Sequence, residues 1–138
     1  MYSAEFETLT SELQEAKTEE SFEKIAKRAS IILKEDSEFW LFRGLFFQNV
    51  DNPFFEPSHA EFAFTQAARM NDFSAVWRLA IGYRYGFFGR VDVELYSKYR
   101  NAAYKLGNPG AASQYLSDLI HQACLDPEEF QKTKSEKE

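Results

Sequence analysis

Apolar positions recur at helical spacing along most of this chain. Tyr2, Phe6, Leu9 and Leu13 stand three or four residues apart, which is one stripe of an amphipathic helix and predicts helix over residues 3–16. Thr18 followed by Glu19 and Glu20 supplies a cap and first-turn acids for the next helix. Its face runs through Phe22, Ile25, Ala26, Ala29, Ile32 and Leu33 down to Lys34. Asp36-Ser37-Glu38 opens a third helix, and its Phe39–Phe47 stretch is apolar on nearly all sides, which predicts a central position. Asn52-Pro53 and Glu56-Pro57 bracket a loop, with Ser58 predicted to cap a helix running through Met70. Asn71-Asp72 turns into a helix over 73–85, Gly86 and Gly89 interrupt the chain, and Asp92 caps a helix reaching Leu106. Gly107-Asn108-Pro109-Gly110 turns once more into a last helix ending near Ala123. Nothing alternates with the period of two that a half-buried strand needs, so the predicted fold class is all-α.

The turns carry a second, longer period. Asp36, Asp72 and Asn108 lie 36 residues apart, and each opens a helix after a short turn. Gly44 and Ala80, Phe47 and Tyr83, Ala67 and Ala103, and Ala75 and Ala111 pair at the same offset. Small residues at fixed places let helix backbones approach, with an aromatic filling the space beside them. A repeated helix–loop–helix unit cannot bury its own face, so neighbouring units are expected to stack.

These residues resemble a Sel1-like repeat, the 36-residue relative of the tetratricopeptide repeat. The second unit supplies Ala75, Leu79, Ala80, Tyr83, Gly86 and Asp92, then Tyr99 in place of a tryptophan, Ala103 and Gly107. The first unit is degenerate, with Gly44, Phe47, Glu56, Ala60, Ala67, Ala68 and Asn71, and Arg43 where leucine is expected. Phe88, Gly89 and Tyr96 depart from the second unit's pattern, so the loop 86–91 is expected to be bulkier than the family norm. The likeness covers about residues 31–120. It implies a short α-solenoid of about seven antiparallel helices, a Sel1/TPR-like superhelix that holds another protein or peptide on its concave face.

Removing the pattern's packing positions leaves Arg78, Ile81, Arg84 and Tyr85 as the outward residues of their helix. Their equivalents one unit earlier are Phe42, Leu45, Gln48 and Asn49, and one unit later Gln114, Ser117, Ile120 and His121. That mixture of arginine, tyrosine, amide and apolar groups suits a protein interface. The alternative is that Phe42, Leu45, Ile81 and Ile120 pack against the end helices. The phenylalanine pairs Phe54-Phe55 and Phe87-Phe88 occupy equivalent loops. They either fold back over the hairpins or form an exposed patch that Arg84, Arg90 and Arg100 rim with positive charge.

Composition narrows the function classes. At 138 residues the chain is long enough for one domain with a real core. Residues 1–125 are expected to form it, with 1–34 as an N-terminal helical cap, 35–125 as the repeat units and 126–138 as a frayed polar tail. The net charge is −6, and residues 1–38 alone hold ten acids against five bases. Residues 39–91 hold four acids and five bases. This balance argues against nucleic acid as the partner, and no apolar run approaches the roughly 20 residues of a membrane span. The acidic N-terminus lacks the features of a secretory signal, which makes a cytoplasmic setting the expectation, a removed signal aside. Oligomeric state is left open.

Candidate chemistry is sparse. Gly86-Phe87-Phe88-Gly89 lacks the lysine and preceding strand of a phosphate loop, and no zinc-type histidine pair exists. His59 with Glu61 is the one conceivable acid–base pair, with a place in a capping turn as the simpler reading. Cys124, the single cysteine, has no partner in the sequence and is expected to be a half-buried structural thiol. No catalytic residue, metal or cofactor is expected. The expected function is binding another protein, with a bacterial immunity-type inhibitor that covers a basic toxin domain as the specific form. A peptide-holding adaptor is the first rival and a small catalytic domain the second.

Overall fold

The computed structural model describes residues 2–34 and 36–125, with side chains as far as His121. Within them lie seven helices and no strand: α1 (Ala4–Glu15), α2 (Glu19–Ile32), α3 (Ser37–Gln48), α4 (Pro57–Arg69), α5 (Phe73–Tyr85), α6 (Val93–Lys105) and α7 (Pro109–Leu125). None of the described helices is long and apolar enough to cross a membrane. Tail residues 126–138 and the Cys124 side chain lie outside the described residues.

Local chemistry sets the helix starts. Ser3, Thr18, Asp36, Asp72, Asp92 and Asn108 each accept hydrogen bonds from backbone N–H groups of the first turn that follows. The exception corrects an expectation: Ser58 does not cap α4. Glu56 holds the cap position without a side-chain bond, and Pro57 begins the helix, where its missing N–H costs nothing.

The 36-residue period is written into the backbone hydrogen bonds. Glu56 donates to the Phe47 carbonyl and Asp92 to that of Tyr83, both at 2.9 Å, closing two equivalent hairpin loops. At the ends of α4 and α6 the pattern repeats again. Asn71 and Asp72 donate to Ala68 and Ala67, and Gly107 and Asn108 donate to Tyr104 and Ala103. Each is a Schellman turn through a left-handed residue, Asn71 at φ 61° and Gly107 at φ 89°. The next residue, Asp72 or Asn108, immediately caps the following helix.

Consecutive helices pack against each other throughout, and α1 also reaches α3. The main core joins Phe6, Leu9 and Leu13 of α1 to Phe22 of α2, Leu41 and Phe46 of α3, Phe64 of α4, and Leu79 and Tyr83 of α5. Gly44 and Gly82 let side chains sit on the helix backbone, because a Cβ there would strike the Phe64 or Phe88 ring at under 2.5 Å. A smaller cluster of Val76, Ala103 and Ala111 ties α5, α6 and α7 together. The N-terminus is pinned across this body. Tyr2 donates to the Asp72 carboxylate, and the Ser3 amide and hydroxyl donate to Glu38.

Candidate partner-binding groove

The alternate helices α1, α3 and α5 line one open depression. Tyr2, just before α1, with Phe6, Thr10, Leu13 and Gln14 of α1 forms one wall, Leu41, Leu45 and Gln48 of α3 with its capping Asn49 the next, and Ser74 and Arg78 the α5 side. A second depression continues it, sharing Gln48, Ser74 and Arg78 and adding Trp77, Ile81, Phe87 and Asn108. The two hold about 410 and 320 Å³. Leu45, Gln48, Asn49, Arg78, Ile81 and Phe87 are thus brought together from three sequence segments. Tyr85 extends the same edge through its stacking on Phe87, ring centroids 5.7 Å apart.

Arg78 dominates the electrostatics. Its guanidinium makes no hydrogen bond or ion pair with any described residue, although five donors are available. Its side chain is exposed at the groove surface; desolvation by the flanking walls lowers its pKa, and attraction to Tyr2 and Asp72 offsets this only partly. It remains a cation, since arginine does not deprotonate in proteins. Asp72 answers differently: burial raises its carboxyl, while N–H bonds from Ala75 and Ser74 and the Tyr2 hydroxyl pull it back. Gln48 and Asn49 add neutral amides beside the cation, and the Asn49 oxygen already accepts from the Asp51 amide. The groove is rich in donors, with apolar surface on both sides.

Several expected site residues lie elsewhere. Phe42 is 2 % exposed and Phe88 7 %, so both belong to the core and not to the binding surface. Phe88 folds back onto Gly82, Phe64 and Tyr83, while Phe87 beside it and Phe54 and Phe55 in the equivalent loop are exposed. Arg84 turns away from the groove toward α6 and bonds the Tyr96 hydroxyl at 3.2 Å. Gln114 points along α7 to Asp118. Ser117, Ile120 and His121 are exposed on α7, and none of the three lines either depression.

The expected basic rim is consumed internally. Arg100 is 5 % exposed, bonds Asp118 at 2.6 Å and lies over the Tyr96 and Tyr115 rings. Arg90 reaches across to Glu61, which also accepts from the Tyr83 hydroxyl. His59 consequently has no acid–base relation to Glu61. Its Nε2 meets Arg43 at 3.0 Å, and its ring lies against Phe47. Among the described residues no group of three His, Cys, Asp or Glu side chains gathers closely enough to hold a metal ion.

Sequence reasoning missed Tyr2, Thr10, Gln14, Ser74 and Trp77 as groove residues. Ser74 stands four positions before Arg78 and Trp77 four before Ile81 on the same helix, a signal that was available. The α1 residues carry none, because only the packing of α1 on α3 brings them there. Comparison with family models, curated proteins and solved structures finds no match for this chain.

Proposed function

We propose that this protein is a non-catalytic protein-binding module, a short α-solenoid with Sel1- and tetratricopeptide-like units, whose groove takes a segment of a partner protein. Support for the solenoid comes from the 36-residue recurrence of caps, Schellman turns and loop-closing bonds. The observation that carries the function is Arg78. Arg78 stands exposed between Leu45 and Ile81 and bonds no described residue, so its guanidinium donors are free to take a partner's carboxylate or carbonyl groups.

The test is capture of partners from the native cells with the wild-type chain and with Arg78→Glu and Tyr85→Ala variants, each checked for an unchanged melting profile. A partner that co-elutes stoichiometrically with wild type and is lost from both variants supports the groove. Equal capture by all three proteins overturns it.

A second reading, neutralisation of a basic toxin domain by an immunity-type protein, is favoured by one separate observation. Glu5, Glu7, Glu15, Glu19 and Glu23 are exposed on α1 and α2 and form no ion pair with a described residue. Steered association of that kind slows steeply with salt. A basic partner whose association rate is insensitive to salt would exclude it.

A further inference from the structure

The chain is acidic overall, yet one depression on its surface is lined by three cations and no acid. It lies between α4 and α6, on residues other than those of the groove above, and holds about 520 Å³. Its cations are Arg69, Lys98 and Lys105, and Val76, Tyr99 and Leu106 give it an apolar floor and rim. The three cations are scattered in sequence and converge only through the fold. Arg69 and Lys105 are equivalent positions one 36-residue unit apart, each in the last turn of its helix. Lys98 stands seven residues before Lys105, two turns up the same face of α6, or about 10 Å along the axis.

Helix dipoles account for part of this charge, since cations near a C-terminus are favoured. They do not account for Lys98, which lies mid-helix over the Tyr99 ring and meets no carboxylate among the described residues. Of the nearby acids, Glu61 bonds Tyr83 and Arg90 and Asp72 caps α5, while Glu94, one turn before Lys98 on α6, is exposed and forms no ion pair with it. All three cations are exposed, and none forms a hydrogen bond or ion pair with a described residue.

We propose that this face docks an acidic amphipathic helix of a partner protein, with two carboxylates seven residues apart facing Lys98 and Lys105 and apolar side chains between them on the Val76–Leu106 floor. A helix repeats its face every two turns, so that spacing matches the lysines directly. Nucleic acid fits less well. Three cations are few, the rest of the chain is net negative and repels a polyanion, and the aromatic faces are taken, Tyr99 by Tyr83 and Lys98, Tyr104 by Tyr115. A second copy fits poorly too. On α1, Glu5 and Glu12 have the right spacing, but Leu9 between them is buried in its own core and Glu12 is paired with Arg28.

The experiment uses the full chain and a labelled helical peptide of about sixteen residues, four turns or so. Its face reads Glu-x-x-Leu-Leu-x-x-Glu, and binding is followed by fluorescence anisotropy. The expected result is saturable binding that weakens from about 50 to about 200 mM salt and weakens about tenfold in Lys98→Glu/Lys105→Glu, two ion pairs together being worth about 1.4 kcal/mol. A peptide with lysine for both glutamates should bind that double variant better than wild type. Arg78→Glu should leave the affinity unchanged, which separates this face from the groove of the proposed function. Absence of binding, equal binding of a scrambled peptide, or no effect of the double variant overturns the proposal. So does tighter binding of a single-stranded oligonucleotide, self-association abolished by the double variant, or displacement of the probe by a peptide of residues 126–138.

Discussion

Gly44→Ala is the sharpest test of the packing described above, because two effects of opposite sign meet at one atom. In an unencumbered helix the change from glycine to alanine is favourable by about 1 kcal/mol. Here the new Cβ would lie 2.4 Å from two ring atoms of Phe64 and 2.7 Å from a third, where ordinary contact begins near 3.4 Å. The ring must therefore retreat by about 1 Å. Phe64 is fully buried and has nowhere to go, which places the cost near the upper end for overpacking, about 3 kcal/mol. The balance is a loss of about 1–2 kcal/mol, read as a fall in Tm of about 4 °C per kcal/mol for a chain of this size. Thermal and urea unfolding followed by circular dichroism measures it, and a double-mutant cycle assigns it. Phe64→Leu alone should destabilise by about 1–2 kcal/mol through lost contacts. Combined with Gly44→Ala, the total should be smaller than the sum by about 1 kcal/mol, since the smaller side chain makes room for the methyl group. A rise in Tm for Gly44→Ala, or strict additivity in the cycle, would refute the reasoning.

Other consequences follow from buried charge. Asp72→Asn keeps an N-cap side chain and an acceptor for Tyr2 while removing a carboxylate whose pKa burial raises. A raised folded pKa means that stability is lost as pH climbs from the unfolded Asp value, about 3.9, through the folded one. The asparagine variant should therefore unfold at higher urea than wild type at neutral pH and show no advantage near pH 3. For Asp118, burial pushes the carboxyl up, but hydrogen bonds from Tyr96, Gln114 and Arg100 and the Arg100 charge outweigh it and lower the pKa. Its contribution is present above about pH 3.9 and disappears as pH falls through the folded value. Arg100→Met should accordingly cost about 2–3 kcal/mol at neutral pH by leaving that carboxylate short of its partner, with the gap to wild type closing in strong acid. Equal losses at both pH values would mean that ring packing, not the ion pair, accounts for Arg100.

Much of the backbone was legible in the linear chain, because its determinants are local. An Asp, Asn or Thr oxygen reaches the amides two or three residues on whatever the rest of the molecule does, so Thr18, Asp36, Asp72, Asp92 and Asn108 mark their helices directly. The 36-residue period was legible for the same reason, since each Schellman turn and the cap after it occupy a few consecutive residues. Amphipathic spacing likewise identified Phe6, Leu9, Leu13, Phe22, Ile25 and Ala29 as buried. Ser58 misled because a proline beside it made the cap unnecessary.

What the fold alone decided is which side chains share a surface. Phe42 and Phe88 have the composition of an exposed anchor, and only the close approach permitted at Gly82 and the covering end helices bury them. Arg100 looked like a surface charge until Asp118, eighteen residues on, met it between two tyrosine rings. Arg69, Lys98 and Lys105 never cluster in the sequence, yet they face one depression. Tyr2 becomes a groove residue because its hydroxyl is held by Asp72, seventy positions away. Caps and periods depend on neighbours a few bonds distant. Burial, pairing and local charge depend on neighbours that only packing selects.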